Sequence, residues 1–304
     1  MKFVKRKEYG LASRLKKSAV SYAMMAPYMI VFILLTVIPV IAAICLSFTY
    51  FNMLEPPKFT GFLNYERLFL DDEIFPQVLK NTLVFAIITG PLSYLISFVS
   101  AWLINEMGRA VRTVMTFCFY APALCGNLYA IWAMILSGDQ YGIANSVLMQ
   151  LGVISEPQQW LSDPKTMLGA LITVQLWASF GVGFLTFIAG FQSMDKSLAE
   201  AGGIDGIKNR WQELWYITLP SMAPQLLFSA VMSISSAFGV GAVSTALCGF
   251  PSTDYAAHTI MNHLEDYGNI RFEMGYASAI AAILFAMMLL SKVFVQKLIK
   301  NVGR

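Results

Sequence analysis

Charge is what this sequence has least of. Asp, Glu, Lys and Arg make up 13% of its 304 residues against 57% hydrophobic, and mean hydropathy is +0.61. Soluble domains carry about 25% charged and about 45–50% apolar residues, so a water-soluble globular domain is excluded. Cysteine is sparse too. Cys45, Cys118, Cys125 and Cys248 lie in apolar runs without C-x-x-C spacing, which reads as free thiols behaving as small hydrophobes. Of the two histidines, His263 follows His258 by a spacing that turns them to different faces of a helix. No cysteine or carboxylate cluster completes a ligand set, so no metal site is expected.

Catalytic signatures are missing as well. There is no Gly-rich loop ending in Gly-Lys-Ser/Thr, no G-x-S-x-G and no H-E-x-x-H, which leaves a membrane-embedded enzyme without a nucleophile, base or metal. Any energy source must be an ion gradient or another chain.

What is present is a set of uncharged runs long enough to cross a bilayer core of about 30 Å. Six run approximately over Val20–Phe51, Thr82–Ile104, Val114–Leu136, Met167–Phe191, Ser221–Phe250 and Met274–Leu290. The first and fifth exceed the length a span needs, which implies tilt or interfacial ends. The first follows a basic stretch but is too long for the h-region of a signal peptide, so it reads as a retained anchor. Residues 1–19 form a basic inner segment, either a short surface helix carrying Leu11 and Leu15 or a solvated tail.

Lysine and arginine set the orientation, because they accumulate on cytoplasmic flanks. Of the 21, all but Lys58, Arg67, Lys80, Lys165 and Arg271 fall on one side, with both termini. The net charge of +3 is therefore a topological signal, and no patch remains to suggest nucleic acid. Outer loops are expected at Asn52–Asn81, Ser137–Thr166 and Pro251–Glu273, the first two rich in proline, glycine or acidic residues. The expectation is one all-α membrane domain over residues 20–299.

No ionisable side chain occupies the middle of any run. Proton-coupled carriers place such groups within the membrane, so this lack counts against a secondary transporter, although sodium sites built from carbonyls and hydroxyls stay open. The pattern fits passage of a neutral polar solute. Asn127, Tyr129, Gln175, Trp177 and Ser179 are the candidates for lining its path, with amides and a hydroxyl for hydrogen bonds and rings for stacking. Ser229, Ser233 and Ser236, with Gly239, Gly181 and Gly183, read as close helix packing.

The inner loop over residues 193–220 reads as two short helices. Asp195 or Ser197 caps the first, with Glu200 three residues after Ser197 as a capping box, and Leu198 and Ala201 give it a narrow apolar stripe. Gly202 and Gly203 then permit the left-handed backbone that ends a helix, and Asp205-Gly206 is a second turn signal. Asn209 caps a second helix whose Trp211, Leu214, Trp215 and Thr218 share one face, and Pro220 ends it. By periodicity alone this is equally an interfacial hairpin linking two spans.

Glu200-Ala201-Gly202, three residues, Gly206, then Ile217-Thr218-Leu219-Pro220 resemble the EAA loop of ABC importer permeases. The segments SYAMMAPYMIVFILLTVIPVIAAICLSFTYFN and GFLNYERLFLDDEIFPQVLKNTLVFAI are similar to the first two spans and outer loop of maltose- and glycerol-phosphate-type permeases. The resemblance implies a type I ABC importer permease fold with about six transmembrane helices in the bacterial inner membrane. It also implies a second permease, a solute-binding protein, a sugar substrate, and cytoplasmic ATPase subunits that bind ATP and Mg, this chain holding no cofactor. The coupling residues it implies are Glu200, Ala201, Gly202, Asp205, Gly206, Ile217, Leu219 and Pro220. Two departures stand out. Gly202 replaces the second alanine, at about 1 kcal/mol of helix propensity. The stretch from Gly206 to Ile217 is one residue longer than usual, which rotates the second helix by about 100° unless a wider turn absorbs it.

Overall fold

The computed structural model describes residues 19–125 and 128–300. The expected basic head lies, up to residue 18, outside the described residues. Among the described residues, four helices are long and apolar enough to cross a membrane, and two bent pairs raise the total to six if each counts as one span. A two-stranded hairpin, Thr49–Tyr50 with Lys58–Phe59, is antiparallel.

The helix ends differ from the hydropathy bounds, and each difference has a local cause. The first span runs Ala19–Leu46 and stops short of Phe51. There the chain turns into the hairpin, and Asn64 Nδ2 donates to Ser47 O at 2.8 Å and Thr49 O at 2.9 Å, replacing helical partners. The second span starts at Phe75 rather than Thr82 and continues to Asn105. Its polar first turns are covered by protein: Asn81 Nδ2 donates to Tyr255 O at 2.9 Å and His258 O at 3.0 Å.

The third span consists of Arg109–Leu124 and Leu128–Ile135. The fourth is Met167–Trp177 and Val182–Ser193, interrupted over residues 178–181 where a continuous helix was expected. The fifth is shorter than its apolar run. It spans Ala223–Phe238, breaks at Gly239, and resumes as Gly241–Cys248. A Cβ on Gly241 would lie 2.7 Å from Met261 Cγ, so glycine there permits the close approach of the outer segment. The sixth, Met274–Lys300, runs past the expected Leu290.

The second span is common to all three packed clusters. Phe75 and Val78 meet Ile260, Tyr276 and Ile280 at its outer end. Phe85 meets Leu171 and Val243 in a second group. Phe98, Ala101 and Ile104 meet Phe187, Phe191 and Leu214 at its inner end. Against lipid, such contacts act through van der Waals packing more than through removal of apolar surface from water.

Asp72 ties the first outer loop to the third, alongside the Arg67–Glu273 ion pair. Asp72 Oδ1 accepts the backbone N–H of Ile74 at 3.0 Å and of Phe75 at 3.1 Å, at the positive end of the second span. Its Oδ2 accepts from Tyr276 Oη at 2.7 Å and lies 2.9 Å from His263 Nε2. An ionised carboxylate only accepts, so Nε2 of His263 carries the proton. The two histidine rings meet at 6.0 Å, edge to face. They are closer than a shared helix would place them, because the helix begins only at Ile260 and His258 precedes it.

Burial raises the Asp72 pKa, but the bonds from His263 and Tyr276, the His263 charge and the Phe75 N–H outweigh it and hold the group at about 2. A folded pKa below the ordinary value of about 4 gives stability that is complete above that value and lost as pH falls through about 2. Asp72→Asn should lower stability at pH 7 by about 2 kcal/mol, seen as a lower midpoint of thermal unfolding in detergent. The gap from wild type should narrow as the pH falls from about 4 towards 2. An equal gap at neutral and acid pH would contradict this assignment.

Candidate functional site: an inner hairpin and a broken-helix cavity

On the lysine- and arginine-rich side, two short helices join the fourth and fifth spans. Asp195 caps the first, Lys196–Ile204, its carboxylate accepting the Ser197 N–H at 3.0 Å. Ser197 is thus inside the helix, not its cap. Gly202 and Gly203 are also helical, contrary to the expectation that they end it. The reversal comes at Gly206, whose φ is +93°. Ile207 N–H reaches back to Gly202 O at 2.9 Å and Gly206 N–H to Gly203 O at 3.4 Å, the pair of bonds of a Schellman ending.

Gly202 lies at the contact between the two helices. A Cβ on Gly202 would fall inside van der Waals range of Ile217 Cδ1 and 3.0 Å from Ile207 Cδ1. Glycine therefore lets the second helix lie close on the first. That second helix starts at Arg210, where Asn209 accepts the Gln212 N–H at 2.8 Å and Gln212 Oε1 accepts the Lys208 N–H at 2.9 Å. It then widens into a π turn over Leu214–Thr218, closed by Leu219 N–H on Leu214 O. Ile217, inside this turn, faces Gly202.

The π turn also divides the expected Trp211–Thr218 face. Leu214 and Thr218 are buried, while Trp211 and Trp215 are exposed, since the α period does not continue through the bulge. Leu219 packs against the inner cluster, and Pro220 lies in the first positions of a short turn, Leu219–Ser221. The hairpin then meets the fifth span at 81°. Glu200, Ala201 and Asp205 are exposed, as are Leu198 and Ile204. Beside the hairpin opens a cavity of about 690 Å³, whose walls include Glu106, Arg112, Asp195, Glu200 and Arg210.

A second cavity, about 410 Å³, lies deeper in the bundle. Its walls are Thr89, Ser93 and Ser97 of the second span, Gln175 and Ser179 at the break in the fourth, and Ser233 and Ser236 of the fifth. Among the described residues, no charged side chain lines it. Gln175 Nε2 donates to Ser236 Oγ at 2.9 Å, Ser97 Oγ donates to Ser179 O at 3.1 Å, and the buried Ser179 Oγ has no partner among the described residues. Irregular backbone at membrane depth is tolerated where it is buried in protein or lines a cavity, and this break does so.

Of the residues expected on the path, the structure brings Gln175 and Ser179 together here. Trp177 instead meets Trp132 edge-on, with ring centroids 5.5 Å apart. Tyr129 packs in the second cluster, and Asn127 lies outside the described residues. The serine stripe of the fifth span serves two purposes. Ser229 packs, donating to Gly183 O at 3.0 Å, whereas Ser233 and Ser236 face the cavity. Thr89, Ser93 and Ser97 were missed, although their four-residue spacing puts one polar line on an apolar helix.

Residues 93–304 match the family described as binding-protein-dependent transport system inner membrane component. The chain is 31% identical over 275 residues to the probable ABC transporter permease protein YesP of Bacillus subtilis (strain 168), covering 88% of this chain and 86% of that one. It is 28% identical over 284 residues to the arabinooligosaccharides transport system permease protein AraP of the same organism, covering 93% and 89%. Among solved structures, a chain of the bacterial alginate ABC transporter in complex with alginate pentasaccharide-bound periplasmic protein superposes with TM-score 0.73 at 22% identity, over 97% of this chain and 99% of the other. The two chains therefore share a fold. The span of the family match, together with a relative similar over nearly the whole length, leads to one conclusion: the chain belongs to the binding-protein-dependent transport system inner membrane components, the permease subunits of ABC importers.

Proposed function

We propose that this permease forms half of the path for a neutral sugar, an oligosaccharide or glycoside, and that residues 193–220 couple that path to a separate ATPase. The observation that carries the reading is the cavity at the break of the fourth span. It offers hydroxyls, one amide and backbone carbonyls, and no side-chain charge. Each neutral hydrogen bond contributes about 1 kcal/mol net, so several such groups can hold a hydroxyl-rich solute in turn without trapping it. The relative named for arabinooligosaccharides agrees with that chemistry.

The hairpin supplies the coupling surface. Glu200 is an exposed carboxylate suited to a basic group on the ATPase, a charge-assisted contact. Leu198 and the 87% exposed Ile204 are apolar side chains left for a partner to cover. ATP and Mg bind to that ATPase, a second permease completes the path, and a solute-binding protein delivers the sugar and sets much of the selectivity.

In cells carrying the complete system, Glu200→Lys and Gly206→Pro should leave the chain in the membrane at normal levels while sugar uptake is lost and ATP hydrolysis is no longer stimulated by loaded binding protein. Normal uptake by either variant would sink the docking role. Gln175→Ala should slow uptake about fivefold, the value of one hydrogen bond, with ATP hydrolysis less affected. Unchanged uptake would remove Gln175 from the path.

A further inference from the structure

The hairpin continues covalently from the fourth span through Met194 and Asp195 and into the fifth through Ser221 and Met222. A side-chain clamp attaches it as well to the inner end of the second span. Trp102 and Trp211 meet with ring centroids 5.0 Å apart at 59°. One turn further along, Glu106 receives Arg210 at 3.1 Å, and the same guanidinium holds Glu213 at 2.8 Å. Beneath these pairs Leu214 is buried with Ala101 and Ile104. Arg210 and Trp211 open the second hairpin helix, so the clamp grips it at the end far from its joint with the fifth span.

The clamped helix is itself a cavity wall. Ser97 lies about 7.5 Å along the axis from Trp102 at 1.5 Å per residue, and Ser93 and Thr89 follow beyond it. Pro91 stands between those two. Lacking an N–H, proline breaks the helical bond to residue 87, and its ring crowds that carbonyl, so the helix is weakest where it borders the cavity. The segment from Pro91 to Asn105 thus has a weak point at its outer end and is held by the hairpin at its inner end. The fifth span, carrying Ser233 and Ser236, forms an opposite wall and joins the hairpin directly.

From this geometry we infer that Trp102 and Glu106 are positioning residues for transport: they make the second span move with the hairpin, so that one displacement shifts two walls of the cavity. The inference rests on the coupling role proposed for residues 193–220. Without the clamp, a docked ATPase would act on the fourth and fifth spans directly and reach Thr89, Ser93 and Ser97 only through packing between helices.

The test uses the complete transporter, with ATPase, second permease and binding protein, reconstituted in liposomes with a neutral arabinooligosaccharide as the trial solute, or whichever sugar the wild type carries. Glu106→Arg sets two cations against each other and Arg210→Glu sets anions together; each should lower sugar moved per ATP hydrolysed roughly tenfold while the ATPase still co-purifies. The double variant E106R/R210E should return the ratio to within about threefold of wild type, because opposite charges face again. Trp102→Phe should keep most of the ratio and Trp102→Ala should not. Single variants with a normal ratio, or a double variant no better than the singles, would overturn the clamp. If the coupling role itself is wrong, Glu200→Lys and Gly206→Pro transport normally; if only the clamp is wrong, those two still uncouple while the Trp102 and Glu106 variants behave as wild type.

Discussion

A backbone in hydrocarbon has no water to bond, so every interruption of a helix must be answered by neighbouring protein. The break at residues 178–181 obeys this rule. Gly181 N–H turns back to Ser179 O at 2.9 Å, Ser97 Oγ reaches the same carbonyl from the second span, and Ser229 Oγ reaches Gly183 O from the fifth. The hydroxyls that make the break affordable also make its surroundings polar. A cavity with no charge and many hydrogen-bonding groups follows from the same constraint that governs folding.

Because those partners come from the second and fifth spans, these helices cannot be independent of the path. Phe98 and Phe187 pack edge to face at 5.2 Å just inward of the cavity, and Leu214 of the hairpin closes the same cluster. Inner hairpin and cavity are thus the two ends of one packed unit. At the outer end, Asp72 ties the loop before the second span to His263 and to Tyr276 of the sixth, so the same helix is anchored there by charge and inward by aromatic packing.

Much of the architecture was legible from residue order. Six runs, their orientation and the inner hairpin follow from hydropathy, Lys and Arg placement and turn chemistry, because lipid imposes length and charge rules on each segment separately. The Asn209 cap and the left-handed Gly206 follow from local chemistry in the same way. Helix ends were less legible. Polar residues such as Asn81 look like loop until the outer segment that covers them is in place.

The sequence by itself determined that this chain spans a membrane, carries no intramembrane charge, and presents a glycine-hinged hairpin on its basic side. The tertiary structure alone decided that Gly202 and Ile217 meet at one close contact, and that Trp177 packs while Ser97 lines the cavity. It alone brought Arg210 to Glu106 across a separation of more than a hundred residues. Hydropathy and capping act within a turn or two of chain, whereas the facing of a polar residue towards lipid, protein or cavity depends on which distant helix stands opposite.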